Sequence, residues 1–243
     1  MQSVKYKLRI RGLSTKDGTI PVRTLIDVLQ KVTECAERGL RLAIEGESVK
    51  RGKLPAWLEK SLNLTFTGLE KGSTVLDVEA PMLAETVGDQ LQQQDLWYTP
   101  PSLQDTAFSL LSKSVHDTTA ENLESDYYDG GVLKGLLALK PVLKTEVTSI
   151  ELSSKGRPNE SFTFGQSEME KVERLKQRTP EPRAFIVSGH LDQIEHSRKR
   201  FQLRLSDGQI LPGRVDEESM DVEKMRHYWG KKVTVKGTVY FRP

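Results

Sequence analysis

Few residues have the types and spacing that chemistry needs. His190-x-Asp192, followed by His196, comes closest to a metal set. On a strand, residues two apart face the same way, so His190 and Asp192 could share a cation. His196 would have to fold back from a loop. No fourth ligand is evident, and His116 and His227 are remote in sequence. The expectation is a surface histidine beside a turn-forming aspartate, with no metal. Asp129-Gly130-Gly131 precedes a helical pattern and could offer amide N–H groups to an anion. The expected reading is an ordinary turn and N-cap. A third group is cationic: Arg198, Lys199 and Arg200, then Lys231, Lys232 and Lys236, with Tyr240 nearby. Cations and an exposed aromatic are the groups that neutralise phosphates and stack bases.

The remaining chemistry is mostly absent. The single cysteine, Cys35, excludes an intramolecular disulfide framework and a Cys-based zinc site. It lies near an apolar helix face with no histidine close in sequence, which predicts a buried side chain and not a nucleophile. No Gly-x-x-x-x-Gly-Lys-Ser/Thr loop, Gly-x-Ser-x-Gly elbow or Ser-x-x-Lys pair occurs. Asp27, Glu34 and Glu37 sit together on one predicted helix, but nothing separates them from solvated carboxylates. The sequence therefore predicts no catalytic residue, no cofactor and no enzyme.

Composition and charge set the frame for these residues. Apolar residues make up 36% and charged residues 29% of 243 positions, a soluble globular balance with room for one or two domains. No uncharged apolar run reaches about 18 residues, which excludes an ordinary membrane span. The start MQSVKYKLRIRG lacks an apolar h-region, so the expectation is a cytoplasmic protein of prokaryotic type. The net charge of +2 hides an asymmetry: +6 over residues 1–60, −8 over 85–130 and +3 over 184–243. Such blocks pair within a fold or face different partners.

The elements follow from periodicity. Val4, Tyr6, Leu8 and Ile10 alternate with Lys5, Lys7, Arg9 and Arg11, a half-buried strand with a basic stripe. The stripe reads as a solvated or edge-strand face, or as a phosphate track. Val22, Leu25, Ile26, Leu29, Val32 and Ala36 mark one face of a strong helix, with Thr19 as its cap and Pro21 in its first turn. Gly39 interrupts or ends it. Pro55 to Leu58 reads as a helical turn with Trp57 as anchor. Residues 62–80 read as a hairpin turning at Glu70–Ser73. Residues 85–145 form an acidic helical segment. In it Ser102 caps a helix carrying Phe108, Leu110, Leu111 and Val115, and Val132–Leu143 forms another. A hairpin over 147–164 and a charged helix over 167–178 complete an α+β domain, residues 1–178, with a mixed or antiparallel sheet. Thr179-Pro-Glu-Pro182 is the predicted linker, residues 179–183.

The last 60 residues, 184–243, alternate differently. Phe185, Val187 and Leu191 mark one strand, Phe201, Leu203 and Leu205 a second, and Asp207-Gly208 a hairpin turn. Ile210–Val215 is a third strand, Asp216–Trp229 a helix, and Val233 to Phe241 the last one or two strands. Three strands, a helix and one or two strands match the OB-type Greek-key barrel. The pattern Ser188-Gly-His-Leu-Asp192, Phe201-x-Leu-x-Leu-x-Asp-Gly208 and Gly230-Lys-Lys-Val-x-Val-x-Gly237 resembles a small five-stranded, OB-like barrel domain of uncharacterised bacterial proteins. The Lys71-Gly72-Ser73 turn is similar to what precedes such barrels there. The resemblance covers the last quarter of the chain and speaks to fold.

Two functional readings lead, and an enzyme of a type that no motif identifies stays open as a third. In the first, a non-catalytic adaptor docks a protein partner, with 85–130 as its acidic face. Proteins of this kind include accessory components of bacterial toxin–antitoxin or defence systems. In the alternative, the barrel and the basic first strand bind nucleic acid through Arg198, Lys199, Arg200, Lys231, Lys232, Lys236 and Tyr240. On this alternative Trp229 and Phe201 are expected in the core, because both fall at apolar-phase positions.

Overall fold

A computed structural model describes residues 2–13, 19–50, 52–70, 74–87, 100–145, 147–180, 183–195, 200–215, 220 and 222–239. The chain is α+β with two antiparallel sheets. It divides into two compact units, Met1–Pro180 and Glu181–Tyr240.

The first unit is built on strands β1 (Ser3–Arg11), β2 (Thr65–Leu69), β3 (Val75–Pro81), β4 (Ser149–Ser154) and β5 (Phe162–Gly165), in the order β2-β3-β1-β4-β5. β1 is therefore the central strand, which corrects the edge-strand reading of its basic stripe. Its apolar phase, Val4, Tyr6, Leu8 and Ile10, is buried against the helices. Register places Leu76 and Leu152 beside Leu8, and Val78 and Ser154 beside Tyr6. Burying these side chains contributes about 1.5–3 kcal/mol each relative to exposure.

Helix α1 (Val22–Glu45) runs through Gly39 without a break. A Cβ on Gly39 would stand 3.1 Å from Ser114 Oγ, so the missing side chain lets the next long helix approach. α1 ends at Gly46, which takes the left-handed conformation (φ 78°) that a C-terminal cap favours. The N-cap is Pro21, with no side-chain cap, so Thr19 does not fill the role expected of it. α2 (Ala56–Ser61) buries Trp57 as anticipated. After the short α3 (Leu83–Thr86), α4 (Ala107–Thr119) is capped by Thr106 and not by Ser102. Thr106 Oγ1 accepts from Ser109 N at 3.1 Å, while Ser109 Oγ accepts from Thr106 N at 2.9 Å. The single helix expected over 132–143 is two, α5 (Gly130–Leu137) and α6 (Lys140–Thr145), separated at Ala138–Leu139. α7 (Gln166–Arg178) closes the unit and buries Met169, Val172 and Leu175.

The second unit is a curled half-barrel of four strands: β6 (Arg183–Glu195), β7 (Arg200–Arg204), β8 (Ile210–Arg214) and β9 (Lys232–Val239), ordered β8-β7-β6-β9. The expected fifth strand is not among the described residues. A bulge between Leu191 and Gln193 bends β6, as an extra unpaired residue does. The helix expected over 216–229 appears, among the described residues, as α8 (Val222–Met225) followed by a 3-10 turn over Arg226–Tyr228. The small core gathers Leu191, Phe201, Leu203, Val215 and Met225.

Candidate nucleic-acid interface

The site builds from the two faces of the second sheet. In an antiparallel pair, residues directly opposite project from the same side. Leu191 lies opposite Leu203, and Leu203 opposite Leu211, which defines the core side. The other side faces solvent. There Lys232 of β9 lies opposite His190 of β6, and His190 lies opposite Arg204 of β7. Strands stand about 4.8 Å apart, so this row spans about 10 Å. Lys236 lies opposite Ile186 on the same side, and Ser188 Oγ is 2.7 Å from Thr234 Oγ1. Beyond the bulge, Arg214 lies opposite Arg200, which lies opposite Glu195. Like charges directly across a sheet disfavour folding. Arg200 and Arg214 are such a pair, and Lys232 and Arg204 flank His190 on the same side.

An aromatic ring borders this row. The 3-10 turn delivers Trp229, and Gly230 N and Lys231 O then pair with Leu191 O and N at 2.8 and 3.0 Å. Trp229 Nε1 donates to Asp192 O at 3.0 Å, yet the residue is 66% exposed. The Asp192 carboxylate accepts from Arg204 Nη2 at 2.6 Å. One residue thus holds both the indole and the guanidinium. Both charged partners are about half exposed, so their pair contributes at most about 1 kcal/mol to folding and chiefly orients Arg204.

Of the residues the sequence singled out, Arg200, Lys232 and Lys236 fall on the solvent side of the sheet, and Lys231 is exposed beside Trp229. Arg198, Lys199, Tyr240 and His196 lie outside the described residues. Phe201 is in the core, packed over Gly213 across the β7–β8 pair. Trp229 is not, and this is a correction: the helical phase that would have buried it ends at Met225. Arg204, Arg214 and His190 were not picked out for nucleic-acid binding. Alternation around Phe201 and Leu203 already implied that Arg204 faces outward; its neighbours needed the register. Among the described residues no group of three or more His, Cys, Asp or Glu could hold a metal ion.

Elsewhere among the described residues, the basic stripe and part of the acidic segment are paired internally. On the solvent side of the first sheet, Lys5 pairs with Glu79 (3.6 Å), Lys7 with Glu70 and Asp77, and Arg9 and Arg11 with Glu151. Flanked this way, the basic stripe is a poor phosphate track. In the acidic segment, Asp105 pairs with Lys113 at 2.9 Å. Glu121 takes Arg174 at 2.8 Å and Arg178 at 3.6 Å, and the Arg174 hydrogen bond holds its carboxyl below the usual range. Asp129 caps α5, accepting from Gly131 N, Val132 N and the Ser48 hydroxyl, so its own carboxylate occupies the amides an anion would need.

Two recesses among the described residues of the first unit bear on chemistry. A small apolar one is lined by Val32, Cys35, Leu111 and Phe164, and burial pushes the Cys35 thiol up to about 12, far from nucleophilic. An open polar cleft lies between Ser102–Asp105 and Gly156–Glu160. Its charged groups are already engaged: Arg157 with Glu160 and Gln104 O, Glu160 with Tyr6, Asp105 with Ser102 N, Ser109 and Lys113. It clasps the β4–β5 connection to the start of α4. No helix among the described residues is long and apolar enough to cross a membrane. No family model matches the chain, and no curated protein or solved structure gives a significant match.

Proposed function

We propose that the second unit is an OB-like module that binds single-stranded nucleic acid on the solvent side of its sheet. The carrying observation is the exposed, tethered Trp229 beside the row Lys232–His190–Arg204. Base stacking on an aromatic ring and phosphate neutralisation by cations are the two parts of sequence-tolerant single-strand binding. The three-strand meander, helix and fourth strand returning beside the first support the OB reading. Such barrels bind oligonucleotides on the face of their second and third strands, here the strands of Arg200, Gln202, Arg204 and Arg214. The broad face of a sheet, unlike a helix or a two-stranded ribbon, does not fit the major groove of a duplex, which favours a single strand.

Fluorescence anisotropy of the full chain with labelled dT20 tests this. Binding is expected at about 150 mM salt, with a log–log salt slope near −0.7 per phosphate contact. Lys232→Glu with Lys236→Glu lowers both affinity and slope, and leaves stability unchanged because both lysines are exposed. Failure to bind at micromolar protein overturns the reading.

The adaptor reading keeps one supporting observation. On edge strand β2, Phe66 is 57% exposed although it lies opposite Val78, whose side of the sheet is the core side. With Leu69, 45% exposed and opposite Leu76, it forms a small apolar edge of the kind a protein partner covers.

A further inference from the structure

We infer that His190 is a phosphate contact that acts as the imidazolium, so that binding a strand takes up a proton. The inference rests on the single-strand reading above and concerns the same face. It starts from the register: His190 is flanked by Lys232 on β9 and Arg204 on β7. On its own strand the nearest charged group is Asp192, whose carboxylate is committed to Arg204. Ser188 and Thr234, the pair in the next row, are bonded to each other and carry no charge. The imidazole is exposed, so a ligand can reach it.

Histidine is the side chain whose charge ordinarily changes between pH 5 and 8. In the free protein Lys232 and Arg204 flank His190, with one carboxylate, that of Asp192, bonded to Arg204. A phosphate laid across the row changes that balance. Its negative charge favours the imidazolium, and the N–H then donates a charge-assisted hydrogen bond. By linkage, the strand that favours the proton is itself favoured by it, so affinity rises as pH falls.

The test is anisotropy of dT20 on the full chain from pH 8.0 to 5.5 at constant ionic strength. Neither thymine nor the phosphodiester changes charge there. Wild type is expected to bind about tenfold tighter at the acid end, the effect of a one-unit shift in one group. H190Q flattens the profile to less than about twofold while still binding at pH 8.0. H190K binds as tightly as acid wild type at every pH. H196Q and H227Q keep the wild-type profile. A pH-dependent H190Q, or a pH-independent wild type that binds, overturns the role of His190 and leaves the single-strand reading standing. No binding at any pH overturns that reading and this one with it.

Discussion

The indole N–H of Trp229 donates to the main-chain oxygen of Asp192 at 3.0 Å, while two thirds of Trp229 stays exposed. A tryptophan is usually oriented by packing. Here, among the described residues, a hydrogen bond to a strand holds the indole and leaves most of the residue exposed. The same aspartate fixes Arg204, so ring and cation are set by one strand position.

Trp229→Ala should therefore weaken single-strand binding by about 1–3 kcal/mol, the value of one stacked base. Trp229→Phe keeps a ring and should recover part of the loss. Thermal unfolding should move little, since exposed substitutions usually stay within about 0.5 kcal/mol. Unchanged affinity in Trp229→Ala would remove the ring from the site.

Tyr6 links three elements of the first unit. Its hydroxyl lies 2.8 Å from Thr106 Oγ1 and 2.5 Å from Glu160 Oε2, and its ring meets Phe108 edge-on at 5.3 Å. Burial first, and the Glu160 carboxylate second, raise the phenol well above its ordinary value. Above about pH 10 the unfolded chain loses the Tyr6 proton while the native chain keeps it. The unfolded state then binds fewer protons, so stability falls as pH rises beyond that point. Denaturant titrations of wild type and Tyr6→Phe between pH 8 and 11 should show a shallower alkaline decline in the variant. At pH 8 the variant should be about 1–2 kcal/mol less stable, from the lost buried hydrogen bonds.

Cys35 should be silent in the native protein. Its side chain is buried in apolar surroundings, and desolvation pushes its thiol up to about 12. A chromogenic disulfide reagent at pH 8 should react only at the rate of unfolding, and at once in denaturant. Fast native labelling would show that the helix layer over Cys35 opens.

Gly213 and Gly237, two of the sheet glycines of the second unit, should respond oppositely to alanine. A Cβ on Gly213 would lie inside contact distance of the Phe201 ring, whereas around Gly237 nothing stands within 4 Å. Gly213→Ala should cost about 1–3 kcal/mol through overpacking. Gly237→Ala should be neutral or stabilise by up to about 1 kcal/mol, since it removes unfolded-state freedom. Hydrogen exchange at the Phe201 and Leu203 amides reads both effects within the half-barrel.

Local period determined what could be read from the chain alone. Val4 to Ile10 alternate, so β1 and its buried phase were legible, as were the apolar face of α1, the Trp57 turn, the helix ending at Arg178 and the meander around Phe201 and Leu203. Each depends on residues within a few positions of one another, which the sequence lists directly. What depended on distant residues was not legible. The basic stripe is central, and its charges are spent because Glu79, Asp77 and Glu151 arrive from strands tens of residues or more away. Gly39 reads as a helix break until Ser114 is brought against it. The cap at Thr106 competes with an equally good one at Ser102, and packing at Asp105 and Ser109 chooses. Trp229 has the phase of a core residue, but the helix ends at Met225 and the strand at Asp192 captures its indole. The row Lys232–His190–Arg204 exists only through register, a tertiary property: it joins residues 42 and 14 positions apart that no local pattern relates.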